Sequence, residues 1–265
     1  MSQETVTSLD GTPIAYWRSG EGPPLVLVHG TTADHSRWTP VMSAFERRFT
    51  VCAIDRRGRG GSGDPDDYAI EREFEDVAAV VDSLGEPAFL LGHSYGALCA
   101  LEAALLTRNV RKLVLYEPPM DVTGEGITPP GIVERLEALL EASDRDGVVA
   151  TMLHEAAGVP PEVVGYMRTL PVWQARVAAA HTIPRELRAS EASYRFEPER
   201  FGNLLVPTLL LIGGDSPAPY EEAEKAVAEA LPNSRIVVMA GQGHVAMDTA
   251  TDLFTTEVLR FLEGP

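Results

Sequence analysis

The chain has 265 residues, 45% of them hydrophobic, enough for a full core in one or two domains. Its 39 acidic against 22 basic side chains leave a formal charge of -17, with no basic stripe to neutralise phosphates. That balance argues against nucleic acid and against an anionic membrane surface as partner. No apolar run nears the ~20 residues that span a bilayer. The opening MSQETVTSLDG lacks the basic and then apolar stretch of a secretory signal. A cytoplasmic protein is expected, as a monomer or homodimer. Cys52 and Cys99 both lie in apolar surroundings and read as small buried residues rather than a disulfide.

TVTSLDGTPIAYWRSG reads as two short strands around an Asp10-Gly11 turn. PPLVLVHG is a buried strand ending at His29-Gly30. A helix is expected over SRWTPVMSAFERRF, then the strand TVCAID and the glycine-rich loop RRGRGGSG. EREFEDVAAVVDSLG has apolar residues at helical spacing and a glycine where the helix should stop. The strand PAFLLGHS, a helix from Ser94 to about Leu106 and the strand KLVLYEPP follow. VPTLLLIGG and SRIVVMAG are the last strands, beside the helices PYEEAEKAVAEAL and MDTATDLFTTEVLRFL. Unbroken apolar strands alternating with helices mean a mostly parallel sheet of eight strands, covered by helices on both faces. Residues 120–203 carry only helical patterns cut by Pro and Gly. They read as a helical cap inserted after the sixth strand of a core formed by residues 1–119 and 204–265.

Gly92-His93-Ser94-Tyr95-Gly96 matches G-x-S-x-G directly after a strand and before a helix. On its own the pentapeptide is as consistent with a plain capped turn as with a nucleophile. In the catalytic reading a strained backbone lifts Ser94 clear of the sheet, and the Tyr95 N–H opens the helix towards an oxyanion. His29-Gly30-Thr31 ends the central strand, where the Thr31 N–H is the candidate second donor and Gly30 borders the substrate. His244, in GQGHVAMD, falls where the order Ser, acid, His places its third member.

Taken together, HGTT, DRRGRGGSG, GHSYG and GQGH resemble the α/β-hydrolase family in order and spacing, over nearly the whole chain. The resemblance implies the α/β-hydrolase fold and a structural role for the DRRGRGGSG loop. It also implies Ser94 as nucleophile. Relatives that open epoxides or displace halide use aspartate there, so acyl transfer remains. Ser94 would attack a carbonyl, His244 would take its proton, and the Thr31 and Tyr95 N–H groups would hold the oxyanion. No cofactor and no metal are implied.

The acid has two candidates. The family's usual aspartate follows the seventh strand, but in LIGGDSPAP that place holds Ser216 and Asp215 stands one residue early. Glu117, in LVLYEPPM, resembles the arrangement of certain lactonases of the family, which take a glutamate from the end of the sixth strand. Pro118 biases Glu117 towards an extended backbone that prolongs the strand. The balance favours Glu117, with Asp215 as the alternative.

In the cap, Met152, His154, Tyr166, Met167, Trp173 and His181 are either cap core or pocket wall, with Trp173 the best pocket candidate. An apolar lid points to an uncharged, small ester or lactone as substrate. A small-molecule receptor with slow turnover uses the same fold, and a thioesterase, C–C hydrolase or perhydrolase the same machinery.

Overall fold

Eight strands form a single sheet in the computed structural model, which describes every residue except Glu125 and Pro265. β1 (Ser2–Thr7) and β2 (Pro13–Ser19) make the expected hairpin, with Thr7 opposite Pro13. Its turn holds Gly11 at φ 87°, a left-handed value that suits glycine. β3 (Pro24–Val28), β4 (Thr50–Ile54), β5 (Ala88–His93), β6 (Val110–Tyr116), β7 (Thr208–Gly213) and β8 (Ser234–Met239) run parallel. The spatial order is β1-β2-β4-β3-β5-β6-β7-β8, and β2 is antiparallel to both its neighbours. β3, β4, β5 and β7 are buried at every residue, which is why they read as continuous apolar runs instead of alternating.

Helices α1 (Thr39–Phe45), α2 (Ile70–Ser83) and α3 (Tyr95–Leu106) alternate with the early strands. Between β6 and β7 come α4 (Ile132–Glu141), α5 (Arg145–Thr151), α6 (Pro161–Met167), α7 (Trp173–Ala178) and α8 (Thr182–Ser193), with no strand among the described residues. α9 (Ala218–Ala230), α10 (Ala246–Thr249) and α11 (Thr251–Glu263) complete the chain. Side chains of α2, α3 and α9 share one core with Val26 and Val28, while α1, α10 and α11 share another with Leu25 and Leu27. The alternation of residues along β3 thus feeds two separate faces.

Three helical expectations shift. The first helix begins late: His35–Trp38 is a single tight turn, capped by Asp34 accepting the Ser36 N–H at 2.9 Å. α1 then starts at Thr39 with Pro40 in its first turn, where a missing N–H costs no hydrogen bond. The run from 129 to 147 divides at Ser143 (φ 61°) because Asp144 caps α5 through the Gly147 N–H at 2.8 Å. The final helix breaks at Ala250 (φ −146°, ψ 54°), since α10 is tied to the sheet by the Ala246 N–H donating to Tyr116 Oη at 3.1 Å.

The helices between β6 and β7 have their own core, built on residues such as Leu136, Val148, Trp173 and Ile183. A buried ion network fastens them to the sheet. Arg56 Nη2 donates to Glu186 of α8 at 2.6 Å and to Glu73 of α2 at 2.8 Å, and Arg59 also pairs with Glu186. All four side chains are almost fully buried, so each charge depends on its partners. Among the described residues Arg59 has no other carboxylate within ion-pair distance. Glu186→Gln should therefore lower stability by about 3 kcal/mol, read as a shift of the urea midpoint at unchanged slope.

Candidate active site

Ser94 occupies the corner between β5 and α3 at φ 55°, ψ −129°, a strained backbone for a residue with a side chain. Its own N–H donates to Tyr116 O at 2.8 Å, and the Ala97 N–H donates to Ser94 O at 2.7 Å, so both flanks of the corner are fixed. The glycines around it answer to space. A Cβ on Gly92 would run into the backbone of Gly96 and Ala97, and one on Gly96 into the carbonyls of Val28 and His29. A Cβ on Gly30 would stand 2.8 Å from that of Ser94. Tyr95 heads α3, where a helix N–H has no intrahelical acceptor. Thr31 borders both cavities that open on Ser94.

His244 follows β8 and lies 2.5 Å, Nδ1 to Oε2, from Glu117. Glu117 is fully buried, and its second oxygen accepts the Gly213 N–H at 2.7 Å. The glutamate at the end of the sixth strand therefore meets the imidazole. Asp215 is exposed on the turn after β7, with its N–H donating to Gln242 O. The expected backbone of Glu117 needs correction. Instead of prolonging β6 it turns left-handed, with φ 51°. Its N–H is satisfied away from the sheet by Glu224 Oε1 of α9, at 2.9 Å.

Neighbouring rings hold the imidazole in place. His93 Nε2 donates to His244 O at 2.8 Å, the His93 and His244 ring centroids are 4.7 Å apart, and Tyr220 stacks on His244 at 4.7 Å. Tyr116 Oη donates to Gly243 O. Burial, with His244 beside it, keeps His93 far below the usual histidine range and hence neutral. His29 is likewise neutral and structural: Nδ1 donates to Gly30 O at 2.8 Å, and Nε2 accepts the Arg56 N–H at 3.1 Å.

Two cavities meet at Ser94. One, of about 80 Å³, is walled by Met120, Ile127, Leu187, Pro217 and Tyr220. The other, of about 40 Å³, also reaches His244 and is walled by Arg37 and Arg176. Met152 borders both and Met167 the second, as pocket residues. Trp173 does not line either. It is 2% exposed in the core of the helical insertion, with Nε1 donating to Asp146 at 2.6 Å, because the inward face of α7 packs on α5 rather than on the sheet. His181 pairs with Asp64, and His154 bonds Val159 O. Asp34, His35 and Asp55 come within reach of one another as possible metal ligands. Both Asp55 oxygens already accept, from His35, Trp17 and Gly61, so the cluster is tied off as structure.

Sequence reasoning missed Tyr220, Glu224, Arg37 and Arg176. Only the two prolines before Tyr220 hinted at a shaped turn. The others sit on helical faces whose partners are far away in sequence.

A model of the alpha/beta hydrolase family matches residues 25–256. The crystal structure of an alpha/beta hydrolase from Sphaerobacter thermophilus is 39% identical, with a TM-score of 0.84 over 98% of this chain and 100% of that one. The esterase RhEst1 from Rhodococcus sp. is 27% identical, with a TM-score of 0.79 over 100% and 99% of the two chains. A 2-(acetamidomethylene)succinate hydrolase from Mesorhizobium japonicum is 26% identical over 92% of this chain and 90% of its own. No helix among the described residues is long and apolar enough to cross a membrane.

Glu224 gives the site a pH signature. It is fully buried, its Oε2 meets no partner among the described residues, and burial pushes its carboxyl well above the usual 4.5. A folded-state value above the unfolded one means that folding takes up a proton. Stability is therefore greatest below about pH 4.5 on this group's account, and falls as pH rises towards the raised value. Glu224→Gln, neutral throughout, should melt above the wild type at pH 8 and alongside it near pH 4. Glu224→Leu should lose about 1–3 kcal/mol by orphaning the Glu117 N–H. Thermal melts across this pH range check both.

Proposed function

We propose, from the premise that this chain belongs to the alpha/beta hydrolase family, that it is a serine hydrolase cleaving a carboxylic ester or lactone through an acyl-enzyme. The observation that carries the reading is the buried Glu117–His244 pair, 2.5 Å apart, beside the strained Ser94 corner. With Nδ1–H held by Glu117, the other imidazole nitrogen is free to act as base. Ser94 Oγ adds to the carbonyl carbon and its proton passes to His244 Nε2. The Thr31 and Tyr95 N–H groups receive the negative oxygen. Collapse expels the alcohol oxygen, which takes the proton back from His244; for a lactone that oxygen stays tethered to the acyl group. Water, deprotonated by the same imidazole, then releases the acid.

The esterase and hydrolase names of the relatives support acyl transfer as the reaction class. A turnover-deficient receptor is less well supported, since a buried carboxylate paired with an imidazole beside Ser94 is the arrangement that turnover uses.

Two measurements test the reading. A fluorophosphonate probe should label the Ser94 peptide alone, and labelling that survives Ser94→Ala would sink the assignment. Glu117→Gln should lower kcat on a short p-nitrophenyl ester by about 10⁴-fold, by analogy with the amide replacement in a serine-protease triad, while Asp215→Asn keeps most of it. The reverse result would make Asp215 the acid.

A further inference from the structure

Among the described residues every buried arginine but Arg176, which stands beside the nucleophile, is paired with a carboxylate. Arg56 meets Glu73 and Glu186, Arg57 meets Asp76 and Asp10, and Arg59 meets Glu186. Arg37 and Arg176 are each only 7% exposed and share the wall of the inner cavity with Ser94 and His244. Arg37 reaches one carboxylate, Asp248, at 2.7 Å, and that carboxylate is 39% exposed. Its Nη2 is buried without a hydrogen-bond partner among the described residues. Arg176 donates from Nη1 only to neutral groups, Thr32 Oγ1 at 2.6 Å and Thr32 O at 3.1 Å. No carboxylate of the described residues lies within ion-pair distance of it.

Burying a guanidinium without an anion is costly, and side chains arranged this way serve a ligand more readily than the fold. Burial, and then the charge of Arg37, pull Arg176 down to about 10, still fully cationic at neutral pH. At contact range the two arginines and Asp248 sum to about one positive charge, with Asp34 acting on Arg176 from beyond ion-pair distance, and this suits a monoanion better than a phosphate dianion. A carboxylate also matches the planar fork of a guanidinium. An outer cleft of about 430 Å³ is bordered by the same two arginines, so a substrate entering from it passes them before Ser94.

We propose that Arg176 and Arg37 form a carboxylate subsite, and that the substrate is an ester or lactone whose acyl part carries a free carboxylate. The apolar cavity on the other side of Ser94 takes the uncharged part. Arg176 comes from α7 of the helical insertion and Arg37 from the turn before α1, so the bound anion bridges the two parts of the protein. This replaces the uncharged substrate suggested by an apolar lid. It rests on Ser94 being the acylated residue, and the test separates the two claims.

The wild type is assayed on mono-p-nitrophenyl glutarate and on p-nitrophenyl pentanoate, which share a five-carbon acyl chain and differ in the terminal carboxylate. The kcat/KM ratio should favour the glutarate by about 10-fold or more, carried by KM. In Arg176→Met the ratio should fall to about one, and Arg176→Lys should recover part of it. A wild-type ratio at or below one, or a ratio that Arg176→Met leaves intact, overturns the subsite. Binding is read independently of turnover by the rise in Tm that monomethyl glutarate gives the Ser94→Ala protein, against methyl pentanoate as the neutral control. A rise with glutarate alone supports the subsite even where Ser94 resists the fluorophosphonate, in which case only the reaction assignment falls. No rise overturns the subsite even where Ser94 is labelled.

Discussion

A single buried carboxylate organises the carboxyl edge of the sheet. Glu117 stands at the end of β6, accepts the N–H of Gly213 at the end of β7, and meets His244 in the loop after β8. It therefore ties three consecutive strand ends together with the two oxygens of one side chain. A carboxylate with no exposed surface is tolerated only where its lone pairs are used. Here that demand fixes the backbone as well. Glu117 sits at φ 51°, and the resulting detached N–H is taken up by Glu224. The strain at Glu117 and the strain at Ser94 are linked through Tyr116, whose carbonyl accepts the Ser94 N–H and whose hydroxyl braces the loop carrying His244. Geometry at one corner is thus set by packing at the other two.

The helical insertion depends on a different kind of contact. Its own apolar core holds its helices to one another, and the attachment through α8 adds buried ion pairs to the apolar contact of Ala189 with the core of the sheet. Buried ion pairs contribute little net stability over apolar packing, yet they tolerate no misplacement. An apolar contact would allow α8 to slide; Glu186 shared between Arg56 and Arg59 allows one seat. The glycine-rich loop that carries these arginines therefore seats the helical insertion, and its Arg56 also lies over the ring of Tyr95, 4.6 Å from the centroid, at the wall of a cavity beside Ser94.

Much of this was legible in the sequence, for identifiable reasons. The parallel strands could be read because burial on both faces leaves unbroken apolar runs such as LVLV and FLLG. The Ser94 corner could be read because the close approach of backbone on both sides admits only glycine at positions 92 and 96. The choice between Glu117 and Asp215 stayed open because it turns on the reach of a side chain across to the next strand, which no local pattern encodes. Trp173 misled because helical spacing identifies an inward face without saying inward to what. α7 faces the insertion's own core with Trp173 and the cavity beside Ser94 and His244 with Arg176, three residues on. Arg37 and Arg176 were invisible as a pair, being 139 positions apart.

The charge of the chain sharpens what such a pair can do. A protein at -17 repels anions at long range, so no steering field draws a carboxylate towards the site. At physiological ionic strength that repulsion is screened beyond about 8 Å, whereas a buried guanidinium on the wall of a small cavity is screened much less from whatever enters it. In the proposed subsite, recognition is therefore placed at contact distance, on side chains drawn from both parts of the molecule. Asp248 would moderate such a subsite: fully compensated arginines would hold no anion, and two uncompensated ones would hold the acid product as tightly as the ester. Leaving about one net charge lets an anion bind and leave.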